Sequence, residues 1–191
     1  MTPIEGLAGP QALSPADGVH LLHSMSDTFA IMRTLEQIAL ASAVIVGAGY
    51  IGLEMADALT VRGLQVTQME QLPEVLPTID PELGTLVHAG LAGHGVQVLT
   101  GTTVQAITRA QPGQAGRLEV RAAAPGGSAV TCLTDMVLVV VGVRPETALA
   151  AGAGAAHGAK GAIAVDPGMH TTFRTCWPTE TASSPITGCS G

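Results

Sequence analysis

The spacing of hydrophobic and polar positions changes along the chain, and these changes predict the order of its elements. Between Ser26 and Ala41, apolar residues recur three and four positions apart, which is typical of an amphipathic helix. The short apolar run 43–46 predicts a buried strand. The same alternation predicts the elements that follow, which are helix 51–62, strand 65–70, helix 81–92 and strand 96–99.

After these elements the pattern predicts strands without intervening helices. Segments 103–108, 117–122 and 129–133, with turns between them, predict an antiparallel meander. Segment 136–141 is almost purely apolar, as expected of a parallel strand covered on both faces. The last predicted elements are a short helix near Thr147 and a small strand over 163–165. Together they predict an α/β fold, a parallel sheet with a three-stranded antiparallel β-meander.

The two ends of the chain differ from the segment between them. Residues 1–24 are rich in proline and glycine and show little periodicity, so we expect a lead-in segment without a core of its own. Residues 25–170 carry the periodic elements and are predicted to form one domain. The tail, 171–191, has nine serines and threonines among its 21 residues, a composition typical of disorder.

The charge balance argues against several classes of partner. The chain has 8 Lys and Arg against 15 Asp and Glu, a net charge of −7, with no basic cluster that could neutralise several phosphates. Aromatic residues make up only 2%, so a base-stacking surface is not expected. The apolar runs are far shorter than the roughly 20 residues that span a bilayer. We therefore expect a cytoplasmic protein that contacts neither nucleic acid nor membrane.

Cysteine and histidine positions do not predict a metal site. The three cysteines, Cys132, Cys176 and Cys189, form no CxxC pair, and their odd number does not fit a disulfide framework. The six histidines show no metal-ligand spacing. We expect Cys132, in a predicted meander strand, to be a small core residue.

A glycine-rich motif lies between the first buried strand and the next helix. Gly47, Gly49 and Gly52 have G-x-G-x-x-G spacing, and Glu70 ends the following strand 18 positions after Gly52. In this context the first glycine permits a tight turn, the second lets the backbone approach a pyrophosphate, and the third lets helix and strand pack closely. The pyrophosphate is then held at the helix N-terminus. The alternative is a glycine-rich turn of an ordinary α/β protein.

Glu70 predicts the type of dinucleotide. Its carboxylate can accept hydrogen bonds from the adenosine ribose hydroxyls, whereas it would repel the 2′-phosphate of NADP by about 4 kcal/mol at 4 Å and an effective dielectric near 20. Gln71 and Leu72, which follow it, supply no guanidinium for a phosphate. NAD(H) is therefore the predicted cofactor. The alternative for Glu70 is a solvated glutamate at a strand end.

From Pro3 to Met169 the sequence resembles the flavin-dependent pyridine nucleotide-disulfide oxidoreductases, within them the ferredoxin reductase, NADH oxidase and CoA-disulfide reductase branch. The resemblance rests on VIVGAGYIGLEMADAL, VTQME, LPTIDPEL and VVVGVRPET. It implies a Rossmann-like NAD-binding domain of the FAD/NAD(P)-binding type, inserted in a larger flavoenzyme. In that complete enzyme a homo-oligomer is possible.

The resemblance also implies roles for individual residues. Tyr50 matches a residue that lies near the nicotinamide and shields the flavin, Glu54 an acid at the nicotinamide end, and Gly142 a backbone position close to the nicotinamide. Arg144 matches a structural turn. The predicted cofactor-binding residues are Gly47, Gly49, Tyr50, Ile51, Gly52, Glu54, Glu70 and Gly142, with no catalytic residue and no metal ligand. As alternatives, Tyr50 simply covers helix surface, Glu54 is an exposed helix charge, and Arg144 forms an ion pair.

The resemblance sets the predicted function. Family members also carry an FAD-binding strand-turn-helix, a redox cysteine and a later Gly-Asp segment that holds the flavin, and this sequence lacks matches to them. We expect an NADH-binding domain whose parent enzyme passes hydride to FAD, with the isolated fragment inactive. The alternative is a stand-alone, non-catalytic NAD(H)-binding module or partner subunit. A flavin-free dehydrogenase is disfavoured, because the only tyrosine, Tyr50, lies in the glycine-rich turn and forms no Tyr-x-x-x-Lys pair.

The tail prompts a separate hypothesis. Codons for Phe173–Gly191, read in a shifted frame, permit P-D-V-L-A-x-G-D-C-V-V-T-H-H-R-L-L-G, which resembles the family's flavin-binding segment. We hypothesise that the reading frame slips near Phe173, by mutation or sequencing error. A nucleotide read across this region and beyond the stop codon tests the hypothesis.

Overall fold

The computed structural model of the chain describes residues 3–37, 39–142 and 145–172, and the backbone of 183–185. These residues divide into two compact units, one ending at Gly142 and one beginning at Val143. The helices are α1 (Met25–Gln37), α2 (Tyr50–Val61), α3 (Pro81–Gly93) and α4 (Ala148–Gly152), with 3-10 turns at Pro15–Asp17, Pro125–Gly127 and Ala159–Gly161. The strands are β1 (Val19–Leu21), β2 (Ser42–Val46), β3 (Gln65–Met69), β4 (Gln97–Leu99), β5 (Thr103–Arg109), β6 (Leu118–Ala123), β7 (Ala129–Thr134), β8 (Met136–Val139), β9 (Ile163–Val165) and β10 (Ser183–Pro185).

The first unit is built on a five-stranded parallel sheet in the order β1-β8-β2-β3-β4. Four of its strands were predicted, whereas β1 lies within the segment for which no strand was predicted. A strand of three residues is too short to show a periodic pattern. Strand β1 is held in the sheet by backbone pairing with β8, where Val19 is opposite Val137. The edge strand is therefore fixed by tertiary pairing.

An antiparallel sheet, β5-β6-β7, covers one face of the parallel sheet and confirms the predicted meander. Val44 and Val46 of β2 share a buried cluster with Val120 of β6. Ile4 of the lead-in segment packs against this cluster, as does Cys132, a half-buried core residue as expected. The lead-in segment therefore contributes to the core.

Helices cover the opposite face of the parallel sheet. Ala43 and Ile45 alternate with the residues that face the meander, and they pack with Ile31 of α1 and Ala56 of α2. The whole of β8 is buried, as predicted for a strand covered on both faces. Among the described helices, none is long and apolar enough to cross a membrane.

The buried face of α1 differs from the predicted one. Phe29 and Met32, two of the apolar positions whose helical spacing predicts this helix, are 54% and 40% exposed, whereas Ile31 and Thr34 are buried and Leu35 is half-buried. The helix also ends at Gln37, before the predicted Ala41. The prediction was wrong because apolar residues lie on more than one side of α1, and contact with the sheet decides which side is buried.

The second unit confirms two local predictions. Helix α4 follows Thr147, and β9 has the predicted bounds 163–165. Strand β9 pairs in parallel with β10, where Ile163 is opposite Ser183. Arg144 and, apart from the β10 backbone, all residues from Phe173 onward lie outside the described residues. The reading-frame hypothesis and the predicted domain boundaries stay predictions.

His20 of β1 lies fully buried on the helical face of the sheet. Its strand partner Leu138 belongs to the cluster beneath the helices, and neither ring nitrogen has a hydrogen-bond partner among the described residues. Burial therefore lowers the pKa of His20 below its usual 6.5, opposed by the nearby carboxylate of Asp27. The folded state thus favours the neutral imidazole.

We expect His20 to make the fold sensitive to acid. Because its pKa is lower in the folded state, the unfolded chain binds a proton first as pH falls through about 6.5, and stability is lost below that pH. Between pH 7.5 and 5.5, wild type should lose about 1 kcal/mol more of its free energy of unfolding than His20→Leu. Urea melts measure this difference, with the exposed-site variant His23→Leu as the control. Parallel pH profiles for wild type and His20→Leu would contradict the expectation.

Candidate dinucleotide site

The three glycines of the motif have different surroundings. Gly47 has φ +108°, and a Cβ built on it would lie 2.6 Å from the carbonyl oxygen of Val140. A Cβ on Gly52 would lie 2.3 Å from the carbonyl oxygen of Gly47. At Gly49, by contrast, no described atom outside Gly49 and its two chain neighbours lies within 4 Å of a built Cβ. The first and third glycines are thus required by packing within the protein, and the second borders open space.

The open space at Gly49 adjoins the N-terminus of α2. Gly49 is the residue before the helix, and the 12-residue helix begins at Tyr50. The first N–H groups of a helix lack partners within the helix, and the helix dipole makes this end positive. The site can therefore bind an anionic group such as a pyrophosphate, and the lack of a side chain at Gly49 leaves room for it.

Glu70 is buried against the glycine-rich loop. It is 6% exposed, and its two carboxylate oxygens accept hydrogen bonds from the backbone N–H groups of Ala48 at 2.8 Å and Leu72 at 2.9 Å. The alternative of a solvated strand-end glutamate is therefore wrong. Because each carboxylate oxygen can accept more than one hydrogen bond, the contacts in the structure leave Glu70 able to accept from ribose hydroxyls. That contact stays a prediction.

The loop after β3 also contacts the glycine-rich loop. The backbone N–H of Leu76 donates to the carbonyl oxygen of Ala48 at 2.8 Å, and Leu76 is buried with φ +49°. Glu74, in the same loop, accepts from the backbone N–H of Val75 and lies 2.9 Å from Nδ1 of His88 on α3. These contacts tie the loop to both the motif and α3. No local sequence pattern indicates this connection, which joins residues that are distant in sequence.

Gln68 of β3 is a second residue that the sequence analysis missed. It is fully buried, and its Nε2 donates to the carbonyl oxygen of Gly47 at 3.1 Å. The same nitrogen lies 2.9 Å from a Cβ built on Gly52. A polar residue between the buried positions Val66 and Met69 of β3 was the available signal, because a buried amide needs hydrogen-bond partners.

The other predicted site residues lie on exposed surface. Tyr50 and Ile51, in the first turn of α2, are 62% and 40% exposed, and Glu54 is exposed one turn later. Gly142 is exposed with φ +102°, two residues after the Val140 carbonyl that faces Gly47. The structure thus brings Gly47, Gly52 and Glu70 together through direct or shared contacts. The roles of the exposed residues toward a nicotinamide stay predictions.

Comparison with known proteins gives consistent matches over nearly the whole chain. The profile of a family described as pyridine nucleotide-disulphide oxidoreductase matches residues 2–177. The NADH oxidase of Methanocaldococcus jannaschii is 35% identical over 172 residues, which make up 90% of this chain and 35% of that protein. The chain thus spans about a third of the length of this relative.

Solved structures show the same fold. An NAD-dependent persulfide reductase from A. fulgidus matches 95% of this chain and 31% of its own, with a TM-score of 0.74 and 33% identity. Reduced CoADR-RHD from Bacillus anthracis matches 97% of this chain and 29% of its own, with a TM-score of 0.70 and 29% identity. These similarities confirm the predicted fold class, a Rossmann-like parallel sheet with an antiparallel meander.

Proposed function

Since this chain belongs to the pyridine nucleotide-disulphide oxidoreductase family, we propose that it supplies the NADH-binding domain of a flavin-dependent oxidoreductase. Enzymes of this family use NAD(H) and FAD. The observation that carries the proposal is the open space at Gly49, which adjoins the N-terminus of α2. The preceding residue, Ala48, donates its N–H to the buried Glu70.

The described residues fit the parts of a dinucleotide. The N–H groups at the start of α2 suit its pyrophosphate, and the absent Cβ at Gly49 lets the backbone come close. The Glu70 carboxylate suits the adenosine ribose and disfavours a 2′-phosphate. We assign the exposed Tyr50, Glu54 and Gly142 to the nicotinamide end of the site.

When bound, NADH would supply a hydride, and thus two electrons, to the flavin of the proposed enzyme. The residues of this chain contribute binding and orientation. The α2 N-terminus holds the negative charge, and Glu70 sets which adenosine ribose is accepted. Tyr50, exposed at the start of α2, is proposed to shield the site. The residues of this chain do not specify which electron acceptor the flavin of the proposed enzyme would reduce.

Titration of the 191-residue chain with NADH, followed by calorimetry or nucleotide fluorescence, tests the proposal. We expect saturable binding of NADH that is tighter than binding of NADPH, with no flavin absorbance in the purified chain and no oxidation of NADH by the chain alone. A chain that does not bind NADH would contradict the proposed function. Tight flavin binding would contradict the assignment of the flavin site to other parts of the longer protein.

Glu70→Ala is expected to weaken NADH binding by about 1–2 kcal/mol, roughly five- to thirtyfold, because charge-assisted hydrogen bonds to the ribose are lost. NADPH binding should weaken less, since the repulsion of its 2′-phosphate is relieved. In Glu70→Ala the N–H groups of Ala48 and Leu72 lose their acceptor, which can destabilise the loop and weaken both nucleotides. A larger loss of affinity for NADH than for NADPH therefore identifies recognition of the ribose. Glu36→Ala, on an exposed position of α1, is the matched control. Equal losses for NADH and NADPH would remove Glu70 from the recognition of the ribose.

A further inference from the structure

The peptide bond between Gly47 and Ala48 is held at both ends by side chains, one from β3 and one from the residue that follows β3. Its carbonyl oxygen, on Gly47, accepts from Nε2 of Gln68 at 3.1 Å. Its N–H, on Ala48, donates to Oε2 of Glu70 at 2.8 Å. Gln68 and Glu70 are two positions apart, so they extend from the same face of the chain as it leaves β3. The Gly47 N–H donates to the Met69 carbonyl oxygen at 2.8 Å, so three consecutive residues, 68–70, contact the loop.

These contacts restrict rotation of the peptide plane. A peptide bond is planar and trans, so its C=O and N–H point in opposite directions and move together. Tilting the plane would lengthen the bond to Gln68 and the bond to Glu70 at the same time. Gly47, with φ +108°, has no Cβ that would limit this motion, so the restriction comes from the two side chains.

We infer that Gln68 is a positioning residue for dinucleotide selectivity, which acts by fixing the Gly47–Ala48 peptide so that Ala48 N–H holds the Glu70 carboxylate in place. The inference rests on the proposed function, because Glu70 is the residue assigned to the adenosine ribose. Gln68 is fully buried beneath the loop and does not need to touch the nucleotide. Its Oε1 has no hydrogen-bond partner among the described residues, so the amide is retained at the cost of one unsatisfied acceptor.

A side-chain packing role alone predicts a different result. Gln68 also fills the space beneath Gly52, where its Nε2 would contact an added Cβ. An apolar residue of similar length, such as methionine, can fill that space without donating a hydrogen bond. If packing were the whole role, Gln68→Met would change the affinities for NADH and NADPH by the same factor. If Gln68 positions Glu70, the ratio of the two affinities must change.

The experiment compares NADH and NADPH binding in wild type, Gln68→Met and the matched control Gln65→Met, an exposed position of the same strand. We expect Gln68→Met to lower the preference for NADH about fivefold, the equivalent of one ordinary hydrogen bond, and Gln65→Met to leave it unchanged. In a Glu70→Ala background, Gln68→Met should no longer alter the preference. An unchanged preference in Gln68→Met, or equal weakening of both nucleotides, would overturn the inference.

A second measurement needs no nucleotide and so separates this inference from the proposed function. Hydrogen exchange of the Ala48 amide, followed by NMR, should become about fivefold faster in Gln68→Met and remain as in wild type in Gln65→Met. If wild type fails to bind NADH, the proposed function fails. The exchange rate of the Ala48 amide then still tests whether Gln68 fixes the Gly47–Ala48 peptide.

A measurement on wild type covers the case in which Gln68→Met does not fold. The side-chain amide protons of Gln68 should exchange at least about fivefold more slowly than those of the exposed Gln65. Equal exchange rates for the two side chains would overturn the inference that Gln68 fixes the Gly47–Ala48 peptide.

Discussion

Gly52→Ala is expected to lower the free energy of unfolding by about 2 kcal/mol or more, because the new Cβ would stand 2.3 Å from the carbonyl oxygen of Gly47. That oxygen belongs to the backbone and accepts from Gln68, so it cannot move without breaking a buried hydrogen bond. The better helix propensity of alanine, worth about 1 kcal/mol, offsets only part of this cost. Urea unfolding followed by circular dichroism measures the change.

Gly90→Ala is the matched control for this prediction. Gly90 also lies in the interior of a helix, α3, but apart from its chain neighbours and the backbone of its own helix no described atom lies within 4 Å of a Cβ built on it. Only helix propensity then acts, and Gly90→Ala should stabilise the chain by up to about 1 kcal/mol. If Gly52→Ala is as stable as wild type, the close packing of the glycine-rich loop against α2 is not as the structure shows it.

Gly49→Ala is expected to separate binding from stability. At φ −79° and ψ −174°, Gly49 has an extended conformation that alanine also adopts, and open space surrounds its built Cβ. Replacing glycine with alanine before a helix costs less than about 1 kcal/mol of stability. The methyl group would occupy the space that we assign to the pyrophosphate, so NADH binding should weaken at least about tenfold, or about 1.4 kcal/mol.

Calorimetric titration with NADH and a urea melt of the same Gly49→Ala sample measure both effects. The comparison with Gly52→Ala is informative, since the two alanines lie three positions apart and one mainly affects binding while the other mainly affects stability. NADH affinity equal to wild type in Gly49→Ala would exclude the pyrophosphate from this position and with it the proposed orientation of the dinucleotide.

Much of the fold could be predicted because its signals are local. The change from helical spacing to strands alone after β4 identified the meander, and the purely apolar run of β8 identified a strand buried on both faces. The resemblance to the oxidoreductase family, stated from four short segments, is confirmed by the match over residues 2–177. The glycine spacing and the acid after the next strand located the candidate site, because each glycine has a physical reason for its position.

Other features could not be read locally. Strand β1 is three residues long and exists through pairing with β8, and the buried face of α1 was chosen by contact with the sheet rather than by the most apolar residues of the helix. Likewise, nothing in the sequence near His20 indicates that both of its ring nitrogens are buried and that neither has a hydrogen-bond partner among the described residues.

The sequence by itself determined the order of elements from α1 to β9, the family and the motif residues Gly47, Gly49 and Gly52, because periodicity and steric requirements act over a few neighbouring positions. Only the tertiary structure decided what Glu70 and Gln68 do. Their partners, the two ends of one peptide bond, lie 21 and 22 positions away in the chain. A hydrogen bond is lost when its donor–acceptor distance grows by a few tenths of an ångström, and only the tertiary structure sets the two distances here.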